Sequence, residues 1–162
     1  MANVTISIRA VEKRDVSALF GLILELAQYE HLEDAVTGSV DALENHLFGD
    51  RPYIEALVAE RDQQIIGYAL FFTSYSTFLT QPGLYLEDLY VQERHRGQGI
   101  GKALLQRLAN LVTERDYGRL EWSVLDWNES AIAFYETLGA TVLPDWRICR
   151  VTGSALTTLA SG

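Results

Sequence analysis

Val91-Gln92-Glu93-Arg94-His95-Arg96-Gly97-Gln98-Gly99-Ile100-Gly101-Lys102 joins two hydrophobic runs of different period. Before it, Leu84 to Val91 reads as a strand; after it, Leu104, Leu105, Leu108, Leu111 and Val112 recur at helical steps. The stretch therefore reads as a turn from a strand into a helix. Glycines let successive backbone N–H groups point into one concavity, and the start of the helix adds partial positive charge. Together these favour a pyrophosphate. Two better-known phosphate loops do not fit. The Walker pattern needs four residues between its glycines and a Lys followed by Ser or Thr, whereas Gly97 and Gly101 are separated by three and Lys102 precedes Ala103. The dinucleotide fingerprint needs two residues between its second and third glycines, and only Ile100 separates Gly99 from Gly101. A turn that is merely glycine-rich is the plainer alternative. The alternating glycines and the flanking Arg94 and Arg96 weigh against it.

Working outward, Ile6, Ile8 and Ala10 alternate with polar residues as in a half-buried strand. Val16, Leu19, Phe20, Ile23, Leu26 and Ala27 then mark an amphipathic helix over Lys13 to Tyr29. A short helix is predicted over Asp41 to Phe48, and strands over Ile54 to Glu60 and Ile65 to Ser74, with Arg61-Asp62-Gln63-Gln64 as the hairpin turn. Downstream, Leu120 to Leu125 reads as a strand and Ser130 to Leu138 as a helix closed by Gly139. Thr141 to Leu143 and Trp146 to Val151 are predicted as final strands. The order is β-α-α-β-β-β-α-β-α-β-β: an α/β (α+β mixed) single domain over 1–162, its core spanning about 6–151.

Composition narrows the classes. The charge of −9, from 22 acids against 13 bases, argues against a nucleic-acid binder and suits a cationic partner, although acidity also serves plain solubility. No window approaches the roughly 20 apolar residues of a membrane span. Met1 to Arg9 has neither the basic stretch nor the apolar run of an export leader, and Cys149 is the sole cysteine. A reducing, cytoplasmic setting is expected, with no disulfide within the chain, no cysteine-based metal cluster and no metal assigned.

With Arg96, Gly99 and Gly101 in register, the turn resembles the pyrophosphate loop, Arg/Gln-x-x-Gly-x-Gly/Ala, of the Gcn5-related N-acetyltransferases. A second stretch is similar to that family's other signature, Asn-x-x-Ala-x-x-x-Tyr-x-x-x-Gly: Asn128, Ala131, Tyr135 and Gly139 all match. Alone, Asn128 is as much a helix N-cap as a ligand contact, and Tyr135 as much a packing residue as an acid. The resemblance implies a central, mostly antiparallel sheet with splayed strands flanked by helices, with acetyl-coenzyme A as co-substrate. It puts Gly97, Gln98, Ile100 and Lys102 at the diphosphate with the three matched residues, and Asn128 and Ala131 at the pantetheine arm. Tyr135 would protonate the departing thiolate. A covalent route through Cys149 is not expected, since no His partner is evident.

Within the family, Tyr85-Leu86-Glu87-Asp88-Leu89-Tyr90-Val91, Leu26-Ala27-Gln28-Tyr29-Glu30 and Asp126-Trp127-Asn128-Glu129 resemble the diamine branch, which acts on spermidine, spermine and thialysine. That resemblance makes Glu87 the acceptor of the amine proton. It puts Tyr29 and Glu30 in the amine pocket, the backbone of Leu89, Tyr90 and Val91 at the acetyl-pantetheine end, and Glu121, Trp122 and Ser123 near the substrate. Period-two alternation groups Tyr85, Glu87, Leu89 and Val91 on one strand face, and Leu86, Asp88 and Tyr90 on the other. Asp88 is then either a second pocket acid or an outward solvated one. Ala140 to Arg147 is shorter and less acidic than the matching stretch of the polyamine enzymes, leaving open a short diamine, a thialysine-like amino acid or another small amine. A homodimer is expected by resemblance. The alternatives are a protein acetyltransferase acting on lysine side chains or N-termini, and a non-catalytic acetyl-coenzyme A-binding module.

Overall fold

The computed structural model describes residues 5–162; the first four residues of the N-terminal stretch read above lie outside them. The chain divides into two compact units, Met1–Ser123 and Val124–Gly162.

The first unit is built on five strands in the order β1-β2-β3-β4-β5: β1 Ser7–Ala10, β2 Glu55–Arg61, β3 Gln64–Ser76, β4 Gln81–Val91 and β5 Leu120–Trp122. The first four pair antiparallel, β2, β3 and β4 through tight turns and β1 to β2 across the segment that carries two α-helices, while β5 pairs parallel to β4. A parallel neighbour needs a long crossover. Here α3 (Ile100–Glu114) supplies it. The β2–β3 turn falls where the sequence predicts, with Asp62 and Gln63 both left-handed at φ 51° and 64°. That geometry suits the twist of a hairpin.

Helix α1 (Val16–Tyr29) and helix α2 (Val40–Phe48) cover one face of the sheet. Val16, Leu19, Leu22 and Leu26 of α1 pack with Ala56, Val58, Tyr68, Leu70 and Tyr90 in one buried cluster. Ile100, Leu104, Leu105 and Leu108 make the buried stripe of α3, which contacts β2, β3, β4 and β5. At the other sheet edge, buried Asp15 accepts both terminal nitrogens of Arg9, at 2.7 and 3.0 Å, and the backbone N–H of Glu12 at 2.8 Å. This satisfies a charge that would otherwise be costly to bury.

The second unit holds α4 (Glu129–Thr137) and α5 (Gly153–Ser161). The final strands predicted over Thr141 to Leu143 and Trp146 to Val151 do not form; residues 140–152 carry no strand. Their β-branched and aromatic residues favour an extended chain, but a strand also requires a neighbouring edge, which sequence pattern does not supply. Trp146 and Ile148 accordingly stand 79% and 73% exposed. The strand predicted over Leu120 to Leu125 stops at Trp122, although β4 beside it continues to Val91. Helix α5 was not predicted. Among the described residues no helix is long and apolar enough to cross a membrane.

Candidate active site

The end of β4 runs through a short 3-10 turn, Glu93–His95, into α3. Gly97 and Gly99 adopt φ +73° and +81°, and an added Cβ at either would meet nothing within 4 Å. Glycine is thus required by backbone conformation rather than crowding, and the concavity above the turn is open. Helix α3 begins at Ile100, and the first-turn amides of a helix have no intrahelical acceptor. Arg61 reaches across from the end of β2 and donates from Nη1 to Gln98 Oε1 over 3.0 Å. Burial holds the His95 imidazole below its ordinary range, reinforced by Arg94 and Arg61. Charge pairing separates two groups of cations. Arg9, Arg14, Arg107, Arg115 and Arg119 each pair with a carboxylate, whereas among the described residues Arg61, Arg94, Arg96 and Lys102, in or reaching the turn, have none within 4.0 Å, and neither do Lys13, Arg51, Arg147 and Arg150 elsewhere. In a chain of net charge −9, the open glycine turn is thus flanked by cations that no carboxylate neutralises.

Arg96 joins the turn to its surroundings. Its Nε donates to the Val91 carbonyl over 2.9 Å, and its guanidinium lies 4.7 Å from the ring centroid of Tyr29 and 5.4 Å from that of Tyr90. Tyr90 donates its hydroxyl to Glu25 of α1 over 3.1 Å, and Gln92 Nε2 donates to the same carboxylate over 3.1 Å. The glycine turn is thereby tied to the C-terminal half of α1.

Next to it, β4 departs from simple alternation. Asp88 pairs with Leu70 and Leu86 with Phe71, so Glu87 is an extra residue without a cross-strand partner. This β-bulge corrects the faces predicted from period two. Tyr85, Asp88 and Tyr90 share the face of Phe72, Leu70 and Tyr68, whereas Leu84, Leu86, Leu89 and Val91 share the other. Glu87 is exposed rather than framed by apolar neighbours. Asp88 is half-buried and accepts the Tyr68 hydroxyl at Oδ2 over 3.0 Å. Burial pushes its carboxyl up to about 6, against the Tyr68 hydrogen bond and with help from Glu87 and Glu30. Burial also raises Glu30. Two predicted site acids, Glu87 and Glu30, therefore act on a third, Asp88, near the end of α1.

The pairing of β5 with β4 ends at Leu86 opposite Trp122, so Glu87 to Val91 carries no β5 partner on that edge. Backbone groups of Leu89, Tyr90 and Val91 lie along this opening. Tyr85 and Ser123 share a hydrogen bond of 2.7 Å, while Glu121, opposite Tyr85, pairs with Arg119 at 2.7 Å. In the second unit, Asn128 Oδ1 accepts the Ala131 N–H over 3.3 Å as the N-cap of α4. Tyr135 lies half-buried on α4 with its ring 5.5 Å from that of Phe134, and Gly139 ends the helix at φ +91°.

Sequence reasoning missed Arg61, read only as part of a turn, and Tyr68, read only as a strand aromatic. The signal for Tyr68 was present: its hydroxyl is the one hydrogen-bonding side chain in the run Ile65 to Phe72, and a buried tyrosine hydroxyl seeks a partner.

Residues 22–140 match the acetyltransferase (GNAT) family. The chain is similar to the thialysine N-epsilon-acetyltransferase of Bos taurus, 37% identical over 96% of this chain and 97% of that protein. It is also similar to the L-ornithine N5-acetyltransferase of Arabidopsis thaliana, 46% identical over 59% of this chain and 42% of that one. Among solved structures, an integron cassette protein from the mobile metagenome of V. cholerae aligns with a TM-score of 0.83 and 26% identity, covering 99% of this chain and all of that one.

Proposed function

This chain belongs to the acetyltransferase (GNAT) family and is an N-acetyltransferase, and on that premise we propose that it moves the acetyl group of acetyl-coenzyme A onto the primary amine of a small cationic substrate by direct attack. The observation that carries this reading is the adjacency, on one strand, of an anion cradle and an acid cluster. Gly97 and Gly99 open a turn surrounded by four cations without carboxylate partners. A few residues upstream, Asp88 lies in the field of Glu30 and of its neighbour Glu87.

The chemistry assigns roles. Gly97 to Lys102 and Arg96 would hold the diphosphate, and Leu89 to Val91 the acetyl-pantetheine end. Bound there, the thioester supplies the acetyl group. An alkyl amine has a pKa of about 10.4, so it arrives as an ammonium and must lose a proton before attack. Tyr29, Glu30 and Asp88 would hold the cation, and Glu87, exposed on its bulge, would take the proton through water. Backbone N–H groups along the open edge of β4 would stabilise charge on the carbonyl oxygen. Tyr135 would protonate the leaving thiolate, with 1–162 acting as one catalytic domain in which Asn128 and Ala131 meet the pantetheine arm and Glu121, Trp122 and Ser123 border the substrate.

Ornithine and thialysine, the substrates in the relatives' names, are short amino acids with a second amine. The small acid count after Gly139 also favours a short substrate over a long polycation. A cytoplasmic homodimer completes the proposal, the exposed Trp146, Ile148 and Val151 offering apolar surface for a second copy. Thiol release from acetyl-coenzyme A across ornithine, thialysine, lysine, putrescine, spermidine and spermine tests the reading. Turnover is expected with the short diamines or diamino acids. Cofactor binding without turnover on any amine would instead mean a binding module, and label appearing only on proteins would mean a protein acetyltransferase.

A further inference from the structure

We propose that Tyr68 is a positioning residue for amine capture: its buried hydroxyl fixes one oxygen of Asp88 and keeps that carboxylate anionic, so that Asp88 anchors the ammonium and Glu87 is left for the proton. This rests on the small-amine reading above, which gives the cation to Asp88 and the proton to Glu87, and adds the residue that holds Asp88 to its part.

The geometry carries it. Tyr68 is 0% exposed, and Leu70, the residue opposite Asp88, sits two positions further along the same face. Its hydroxyl reaches Asp88 Oδ2 at 3.0 Å, leaving Oδ1 for another donor. Burial holds the phenol far above its ordinary range, so it stays a donor at every working pH. The bulge gives the next residue a different setting, exposed and without a cross-strand partner. Adjacent acids whose surroundings differ in this way divide the tasks of anchoring charge and moving protons.

The charged and ionisable groups around Asp88 push in a known direction. Glu30 from α1 and Glu87 from β4 favour the protonated form, as burial does, whereas Tyr68 from β3 favours the anion. Tyr90 lies on the same strand face and is covered by Arg96. Losing the hydroxyl removes the stabilising donor while the raising influences stay. A hydrogen bond to a charged group is strong enough to move the midpoint upward by about one to two pH units.

The test compares the full-length wild type with Tyr68→Phe, Asp88→Asn and Glu87→Gln, using ornithine and putrescine between pH 5.5 and 9. For the wild type, amine KM is expected to rise as pH falls through about 6. For Tyr68→Phe the same rise should occur about one to two units higher, giving an amine KM about two- to tenfold weaker at pH 7. Amine KM should recover at pH 9, and acetyl-coenzyme A KM should be unchanged throughout. An unshifted profile in Tyr68→Phe would overturn the inference. If Asp88→Asn leaves amine KM unchanged, the pocket assignment of Asp88 falls and the inference with it. Glu87→Gln should lower kcat with amine KM preserved; the reverse pattern overturns the division of labour. Carboxyl NMR titration of Asp88 needs neither turnover nor a folded variant. A wild-type midpoint above about 7.5, which would leave the carboxyl protonated at neutral pH, would overturn the hydroxyl's role even if neither amine proves to be a substrate.

Discussion

The guanidinium of Arg96 lies 4.7 Å over the ring of Tyr29, joining a residue of the glycine turn to a residue of the proposed amine pocket. The same side chain holds the Val91 carbonyl at 2.9 Å, so one residue braces the end of β4, the turn and α1. Lysine keeps the charge but not the planar fork or the stacking. Arg96→Lys should therefore weaken acetyl-coenzyme A and the amine together, each KM rising about tenfold, since roughly 1.4 kcal/mol is lost from each. Steady-state kinetics with both substrates varied checks it. A change confined to the acetyl-coenzyme A KM would mean that Arg96 serves the phosphate alone.

Gly99 supplies a sharper test of the cradle. At φ +81° a side chain costs about 1–2 kcal/mol, which in a chain of this size lowers Tm by about 3–6 °C. Its Cβ would also project into open space above the turn, where the diphosphate is proposed to sit. Gly99→Ala should accordingly lose coenzyme A affinity at least about tenfold by calorimetry, beyond what the stability loss explains. Gly21→Ala is the control. Gly21 lies in α1 without a positive φ and with nothing within 4 Å of its Cβ, so the change should add up to about 1 kcal/mol of stability and leave coenzyme A binding alone.

What the sequence made legible was whatever depends on local order. Gly97 and Gly99 have the positive φ that a phosphate turn demands, and Leu104, Leu105 and Leu108 form the buried stripe that their spacing predicts. The bulge was invisible because alternation assumes one residue per step. One extra residue at Glu87 put Tyr85 with Asp88 instead of Leu86. The missing strands after Gly139 and the Tyr68 to Asp88 bond failed to show for a related reason. Both depend on which segments become neighbours, and neither β propensity nor hydropathy reports that.

Tyr135 is tested by separating chemistry from binding. If it returns the proton to the leaving thiolate, Tyr135→Phe should lower kcat by roughly ten- to a hundredfold, within the range that general acids contribute. Coenzyme A affinity should change less than about twofold, because the ring remains to pack beside Phe134. An acetyl thioester of a less basic thiol, which needs less protonation on leaving, should narrow the deficit. Unchanged turnover would remove Tyr135 from the acid role and leave it as a packing residue of α4.

Asp88 should cost the fold stability that its proposed function requires. Its midpoint of about 6 lies above its ordinary value of 3.8, so between these the folded chain binds more protons than the unfolded chain. Stability therefore falls as pH rises through that window, and at pH 7 the penalty is on the order of 2–3 kcal/mol. Asp15 behaves oppositely. The Arg9 guanidinium holds its carboxyl low, so its contribution is present at neutral pH and is lost as pH falls through the depressed midpoint. Asp88→Asn removes the buried charge, and its amide oxygen can still accept the Tyr68 hydroxyl. Thermal melts should show Asp88→Asn more stable than the wild type at pH 8 by about 5 °C, with the difference closing below pH 4. A variant that melts lower than the wild type at pH 8 would mean that the carboxylate is held by stronger partners than Tyr68.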